Sequence, residues 1–277
     1  MHKIERDEYV SGAHDVALWS PQHIDCIASA LINGRGIALI RGLQTKGICT
    51  EEHLQMCGTL GSALGNLIPQ DAAGNLVRRI ESSPVRGLQH TDQSPRAFGS
   101  RSNHRMALHS DSADIVGLFC IRQASEGGAS SVVSSKSIFE RYSGQFPSLV
   151  SELRRGFYFD MTGKTSNGVP VTKEVVPVFN VNDDSFMCTY NRKRIEDGAK
   201  HLGQELTSRQ IDALDAFDAI AEVEEFVLRI RLIEGDLLFL NNRLTLHGRD
   251  SFVDAGAEKQ GRLLLRFWVN RDQQALS

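Results

Sequence analysis

A mainly β domain with flanking helices is expected from three observations. From Arg105 onwards, short aliphatic, aromatic and β-branched runs alternate with Gly-rich turns, the pattern of a β-sandwich or barrel. Helical periodicity is confined to a few segments before and between those runs. The chain has 277 residues, 41% of them hydrophobic. That is enough for one sizeable core, and barrels of this length commonly form one unit. A single domain over residues 1–277 is therefore expected.

In chain order, residues 21–33 read as a helix opening at Pro21 after Ser20, with Ile24, Ile27, Ala28 and Leu31 on one face. Gly34 and Gly36 break it, and residues 37–40 follow as a short buried strand. Residues 50–60 read as a second helix, with Thr50 as N-cap and Glu51 and Glu52 in its first turn. The stretch 62–104 is rich in Gly, Ser, Pro, Asn and Gln and has little apolar periodicity, so an active-site lid is expected within it. Strands are expected at 116–121, at 130–133 after the Glu126-Gly127-Gly128 turn, and at 157–159, 175–181, 186–190, 226–233, 237–240 and 263–269. Helices are expected near 137–142, 147–154 and 208–222. The long connections suggest that the helices decorate one side.

Charged residues make up 23% of the chain and the formal net charge is -3. Without a basic excess, neither nucleic acid nor an anionic membrane is expected as a partner. No apolar run is long enough to span a bilayer, and the first eight residues lack the apolar core of a secretory signal. Cys26, Cys49, Cys57, Cys120 and Cys188 are odd in number, irregularly spaced and free of any C-x-x-C pair. That argues against a disulfide framework and a thiolate zinc site. Buried, reduced thiols in a cytoplasmic protein are expected.

Three segments carry chemistry. In Ala107-Leu108-His109-Ser110-Asp111, residues two apart on a strand share a face. His109 and Asp111 would then offer an imidazole and a carboxylate to one divalent metal. A third ligand would complete a facial triad with open positions, which suits Fe(II) activating O2. In the segment 234–249, a turn leads through an apolar strand to His247, set among apolar neighbours. In Arg262-Leu263-Leu264-Leu265-Arg266-Phe267-Trp268, alternation puts Arg262, Leu264, Arg266 and Trp268 on one face. Buried guanidiniums need anions, and a guanidinium fork matches a carboxylate, so a carboxylate ligand from outside the protein is expected there. Taken singly, each segment has a plain alternative: a surface His/Asp pair, a core histidine, and an edge strand with two solvated arginines.

Together these segments resemble the TauD/TfdA family of Fe(II)/2-oxoglutarate-dependent dioxygenases, which includes taurine dioxygenase and, more distantly, clavaminate synthase. The resemblance runs from about Gly36 to Asn270. It rests on the ordered set H-x-D, a Gly-Gly turn, G-D-x-x-x-x-N-N-R-x-x-x-H-G-R and R-x-x-x-R. It implies a double-stranded β-helix (a distorted jelly roll, cupin-like). It implies His109, Asp111 and His247 as iron ligands, and Arg262 as partner of the distal carboxylate of 2-oxoglutarate. Ser130 stands where the family often has a threonine hydroxyl supporting that carboxylate. Arg266 matches the position that meets the substrate's anionic group in taurine dioxygenase.

The implied reaction consumes O2 and 2-oxoglutarate, releases succinate and CO2, and hydroxylates a small substrate, or diverts the same oxidation to desaturation or ring closure. Related halogenases replace the carboxylate ligand with Ala or Gly, so Asp111 points to oxygenation. The expected substrate is a small carboxylate-bearing molecule such as an amino acid. Gln89, His90, Asp92, Arg96, Arg101 and Asn103 are candidates to close over it, and the segment 190–192 to approach it. Two rivals remain at this point. One is a zinc or manganese hydrolase or isomerase using the same ligands without 2-oxoglutarate. The other is a catalytically silent barrel that binds a small acid or a partner.

Overall fold

The computed structural model describes residues 9–11, 20–81, 102–163, 169–182, 185–254 and 261–271. Two antiparallel sheets dominate. The larger contains β1 (Tyr9–Ser11), β2 (Ile37–Arg41), β12 (Leu237–Asn241), β6 (Ile115–Arg122), β15 (Leu263–Asn270) and β3 (Asn66–Leu67) in that order, with β4 (Val77–Glu81) also on β15. Only β1 and β2 pair in parallel within it. The smaller runs β11 (Leu228–Ile230), β8 (Ser130–Ser134), β13 (Thr245–Arg249), β5 (Met106–His109). The hairpin of β9 (Phe179–Asn182) with β10 (Ser185–Cys188), and the long-range antiparallel pair of β7 (Glu126–Gly127) with β14 (Phe252–Val253), complete the strands. The arrangement is a double-stranded β-helix in which the described strands do not close into a barrel.

Alternation along the strands builds three cores. On β2, β12, β6 and β15, side chains such as Ala38, Ile40, Leu237, Phe239, Phe119, Leu265 and Phe267 face α1 (Pro21–Ile32) and α2 (Thr50–Leu64). Their neighbours Ile37, Leu39, Leu238, Leu240, Val116, Leu264 and Trp268 point the other way and meet Val132 of the smaller sheet. The outer face of the smaller sheet, through Leu108, Val133 and Leu246, packs on α3 (Ser135–Gln145), α4 (Val150–Arg155), α5 (Arg192–His201) and α6 (Ser208–Ala221). Helices therefore cover both outer faces, which corrects the one-sided arrangement expected from loop lengths.

Other boundaries differ for local reasons. The N-cap of α2 is Cys49, whose backbone N–H donates to Glu52 at 2.8 Å, and Thr50 is already helical. The stretch 157–159 forms only a bridge between Phe157 and Val176, and 226–233 shrinks to β11 behind a 3-10 turn at Glu224–Phe226. The stretch expected to hold a lid begins as sheet and helix: α2 runs to Leu64, and β3 and β4 pair with β15. Residues 82–101 lie outside the described residues, and with them Gln89, His90, Asp92, Arg96 and Arg101. Gly127 and Gly128 both adopt φ near +70°, a conformation that costs L-residues most, and so turn the chain into β8.

Gly117 leaves room for an aromatic side chain. A Cβ there would lie 2.3 Å from the Phe267 ring, which itself packs edge-on against Phe239 at 5.7 Å. Gly117→Ala is expected to destabilise the fold by about 1–3 kcal/mol, the usual cost of overpacking a filled core. Thermal denaturation checks this, and an unchanged Tm would contradict the packing described.

Candidate metal centre

His109 is the last residue of β5, and Asp111 follows just after the strand. The two converge as expected, although the strand stops at His109 and Asp111 lies in the irregular segment after it. Interactions from distant segments hold that segment. Ser110 N–H donates to the Tyr190 carbonyl at 2.8 Å, and Tyr190 N–H donates to Ser110 Oγ at 3.0 Å. Asp111 N–H reaches Asn242 Oδ1 at 3.4 Å. Asp114 receives Arg243 Nε at 2.9 Å and Arg271 N–H at 2.9 Å. Asn242 and Arg243 of the N-N-R run thus brace the metal loop, while Asn241 donates to the Leu31 carbonyl and accepts from the Arg243 N–H. Of the segment 190–192, the Tyr190 backbone reaches that loop, whereas Arg192 turns away to Glu196, Asp215 and Asp218.

His247 lies on β13, paired directly across from His109 on β5. The two imidazole centroids are 4.5 Å apart. His109 Nε2 is 3.8 Å from Asp111 Oδ1, and His247 Nε2 is 3.7 Å from Asp111 Oδ2. One ligand atom from each residue can be chosen so that all three lie within 4.8 Å of one another. Nitrogen and oxygen ligands sit roughly 2.1 Å from a divalent metal, so two of them on one ion lie at most roughly 4.2 Å apart. The two imidazole–carboxylate spacings meet that bound. His109 Nδ1 is 2.8 Å from the Ala107 carbonyl. A carbonyl only accepts, so Nδ1 carries the hydrogen and Nε2 presents its lone pair to the cluster. Burial, reinforced by His109 and Arg266 and opposed by Asp111, pushes His247 down to about 3. It is therefore neutral, the form that binds metal.

The two arginines of β15 serve different places. Arg266 is buried, donates from Nη1 to Asp111 Oδ2 at 3.1 Å, and donates from Nε to Gln70 Oε1 at 2.8 Å. Trp268 Nε1–H donates to the same Oδ2 at 2.8 Å. Among the described residues Nη2 of Arg266 has no partner. Arg262 stands just before the strand and is 3% exposed. Its backbone N–H is bound by Asp254 at 2.8 Å, and its Nε donates to Gln123 at 3.1 Å. β15 lies between β6 and β4, so neither arginine belongs to a solvated edge strand.

Arg249 escaped the sequence reading. It lies two residues beyond His247 on β13 and directly across from Ser130 on β8, and both are buried. Arg249 and Arg262 lie 4.7 and 5.3 Å from the centroid of the Phe252 ring. Arg249 Nη2 donates to the carbonyls of Ser102 and His104, while its Nε is buried without a partner among the described residues. Neither guanidinium has a carboxylate in ion-pair contact among the described residues. Burial and then the facing Arg262 push Arg249 down to about 10, and burial pushes Arg262 down as well. Asp254 is the acidic group that bears on Arg262, and buried like charges of this kind cost free energy unless an anion compensates them. The signal was present in the sequence, because a residue two after His247 shares its face.

Comparison with known proteins agrees with this geometry. The family model described as "Taurine catabolism dioxygenase TauD, TfdA family" matches residues 8–268. FR-33289 synthase of Streptomyces rubellomurinus is 30% identical over 251 residues, covering 87% of this chain and 70% of that protein. The taurine hydroxylase-like protein SAT17 of Stachybotrys chartarum is 25% identical over 249 residues, covering 87% of this chain and 62% of that one. Among solved structures, asparagine oxygenase with Fe(II), 3-hydroxyasparagine and succinate superposes with a TM-score of 0.71 at 18% identity, over 93% of this chain and 82% of that chain. The non-heme iron oxygenase OrfP with Fe and α-ketoglutaric acid superposes at 0.64 and 16%, over 93% and 82%. A family match over residues 8–268, a shared fold and a convergent His-Asp-His cluster place this chain in the TauD/TfdA family of dioxygenases.

Proposed function

We propose that this chain hydroxylates a small carboxylate-bearing substrate, an amino acid or close relative. Fe(II) is the cofactor of its family, with 2-oxoglutarate and O2 as cosubstrates. The observation that carries the reading is the convergence of His109, Asp111 and His247, with Arg249 of β13 and Arg262 just before β15 buried and without a carboxylate in ion-pair contact among the described residues. When bound, iron with 2-oxoglutarate and O2 supplies the oxidising power: one oxygen atom goes to the substrate C–H bond, and 2-oxoglutarate leaves as succinate and CO2.

The chain's own residues bind, orient and exclude water. His109, Asp111 and His247 hold the metal. Arg262 takes the distal carboxylate of 2-oxoglutarate, with Ser130 and Arg249 at its side. Arg266 offers Nη2 to the substrate's anionic group, while its other nitrogens stay on Gln70 and Asp111. Val132, Leu264 and Trp268, packed between the sheets, keep the surroundings apolar. An amino-acid substrate is supported by the hydroxyasparagine and hydroxyarginine products held in asparagine oxygenase and OrfP. The small net charge gives nucleic acid or an anionic membrane surface little to recognise, and no described helix is long and apolar enough to cross a membrane. Cys57, Cys120 and Cys188 are buried, whereas Cys26 and Cys49 are exposed, against the expectation that all five are buried; five unpaired thiols fit a reducing, cytoplasmic setting.

The test is anaerobic addition of Fe(II) and 2-oxoglutarate, followed by O2 with a library of amino acids and small acids. A weak visible charge-transfer band should form, and Fe(II)-dependent succinate should follow, with product mass raised by one oxygen. Loss of two hydrogens instead would indicate desaturation or ring closure. Neither band nor succinate under any condition would favour the silent barrel, and turnover without 2-oxoglutarate would favour the hydrolase or isomerase.

A further inference from the structure

Gln70 lies in the loop between β3 and β4, 1% exposed and 196 positions from its main partner. Its side chain makes three bonds: Nε2 donates to the Arg266 carbonyl at 2.7 Å and to the Leu76 carbonyl at 3.0 Å, and Oε1 accepts Arg266 Nε–H at 2.8 Å. Its backbone N–H closes the loop on the Asn75 carbonyl at 3.0 Å. Both amide hydrogens are committed to carbonyls, which can only accept, so the amide orientation is settled and Oε1 must face Arg266. That contact sets the plane of the guanidinium. It lies 4.7 Å from the centroid of the Trp268 ring and sends Nη1 to Asp111 Oδ2. The Trp268 indole N–H meets the same oxygen. Two donors thus converge on one carboxylate oxygen, and a neutral, buried amide fixes one of them. A carboxylate at position 70 would compete with Asp111 for Arg266, whereas an amide leaves the guanidinium's charge to Asp111.

We infer that Gln70 is a positioning residue for the metal centre: by locking Arg266, it fixes the orientation in which Asp111 meets the metal. The inference rests on His109, Asp111 and His247 being the ligands. Partners one step removed from a metal commonly govern affinity by about 10–100-fold, and here the chain of contacts runs Gln70, Arg266, Asp111.

The test uses the full chain with Co(II) as an O2-stable probe, reading affinity by calorimetry and ligand geometry by the visible spectrum. Gln70→Met is expected to weaken Co(II) binding about 10-fold and to change the visible band pattern, with the far-ultraviolet circular dichroism unchanged. Gln70→Asn, which keeps an amide but is one methylene short of Arg266, covers the case in which Met is not tolerated, and the same loss is expected. In an Arg266→Lys background, which removes the Nε that Gln70 holds, Gln70→Met should weaken Co(II) binding no further. Unchanged affinity and spectrum in a folded Gln70 variant would overturn the inference, as would a full additional loss in the Arg266→Lys background. If wild-type protein binds Co(II) no better than His109→Ala, the triad itself is wrong and the inference falls with it.

Discussion

Asp111→Ala is expected to remove Fe(II)-dependent turnover, a loss of at least about a thousand-fold in kcat/KM, or about 4 kcal/mol of transition-state stabilisation. The variant loses one of three ligands, and it also strips Arg266 of its counter-charge. Arg266 Nη1 and Asp111 are buried at 3.1 Å, with side chains 11% and 9% exposed. Removing one member of such a pair leaves the other charge uncompensated, at a cost of about 3–5 kcal/mol. For a chain of this size that lowers Tm by roughly 10 °C. Metal loss and fold loss can be separated. The double variant Asp111→Ala/Arg266→Met should recover much of the lost stability, because both charges are gone, while remaining inactive. Differential scanning calorimetry of both proteins, with succinate release measured in parallel, decides the matter. A single variant that keeps wild-type turnover would remove Asp111 from the metal, and one that keeps wild-type Tm would remove the ion pair.

The parts of this site that depend on local period were readable. His109 and Asp111 are close in sequence, and the alternation of β15 sends Leu265 and Phe267 to one face and Leu264, Arg266 and Trp268 to the other. What needed tertiary register was not readable. Gln70 gives no local sign that it will meet Arg266, and a polar stretch that looks like loop supplies two strands on β15. The helix α5 has a single buried apolar side chain, Ile195, among charged residues, so it carries no stripe. The two-sided helical cover did leave a mark. Residues 37–40 and 237–240 are unbroken apolar runs, and such runs belong to strands buried on both faces. Loop length was the poorer guide.

Arg262→Met is expected to raise the KM for 2-oxoglutarate about 100-fold or more, because truncating one partner of a buried charge pair costs about 2–5 kcal/mol. Arg249→Met is expected to act in the same direction with a smaller effect, since part of its guanidinium is already held by the carbonyls of Ser102 and His104. In both, kcat at saturating 2-oxoglutarate should fall less than kcat/KM, the sign of binding shared by ground and transition states. Stability separates this from a merely structural role. Without ligand, Arg262 bears on Arg249 as a buried like charge across Phe252, so Arg262→Met relieves repulsion and its ligand-free Tm should hold or rise, whereas Arg249→Met also gives up the bonds to the Ser102 and His104 carbonyls. The wild type should gain about 2.7 kcal/mol from 2-oxoglutarate at a hundred times its Kd, or roughly 5–10 °C, and Arg262→Met should lose most of that gain at the same concentration. A ligand-free Tm that drops while the 2-oxoglutarate shift survives would mean that these guanidiniums support the fold and seat no anion.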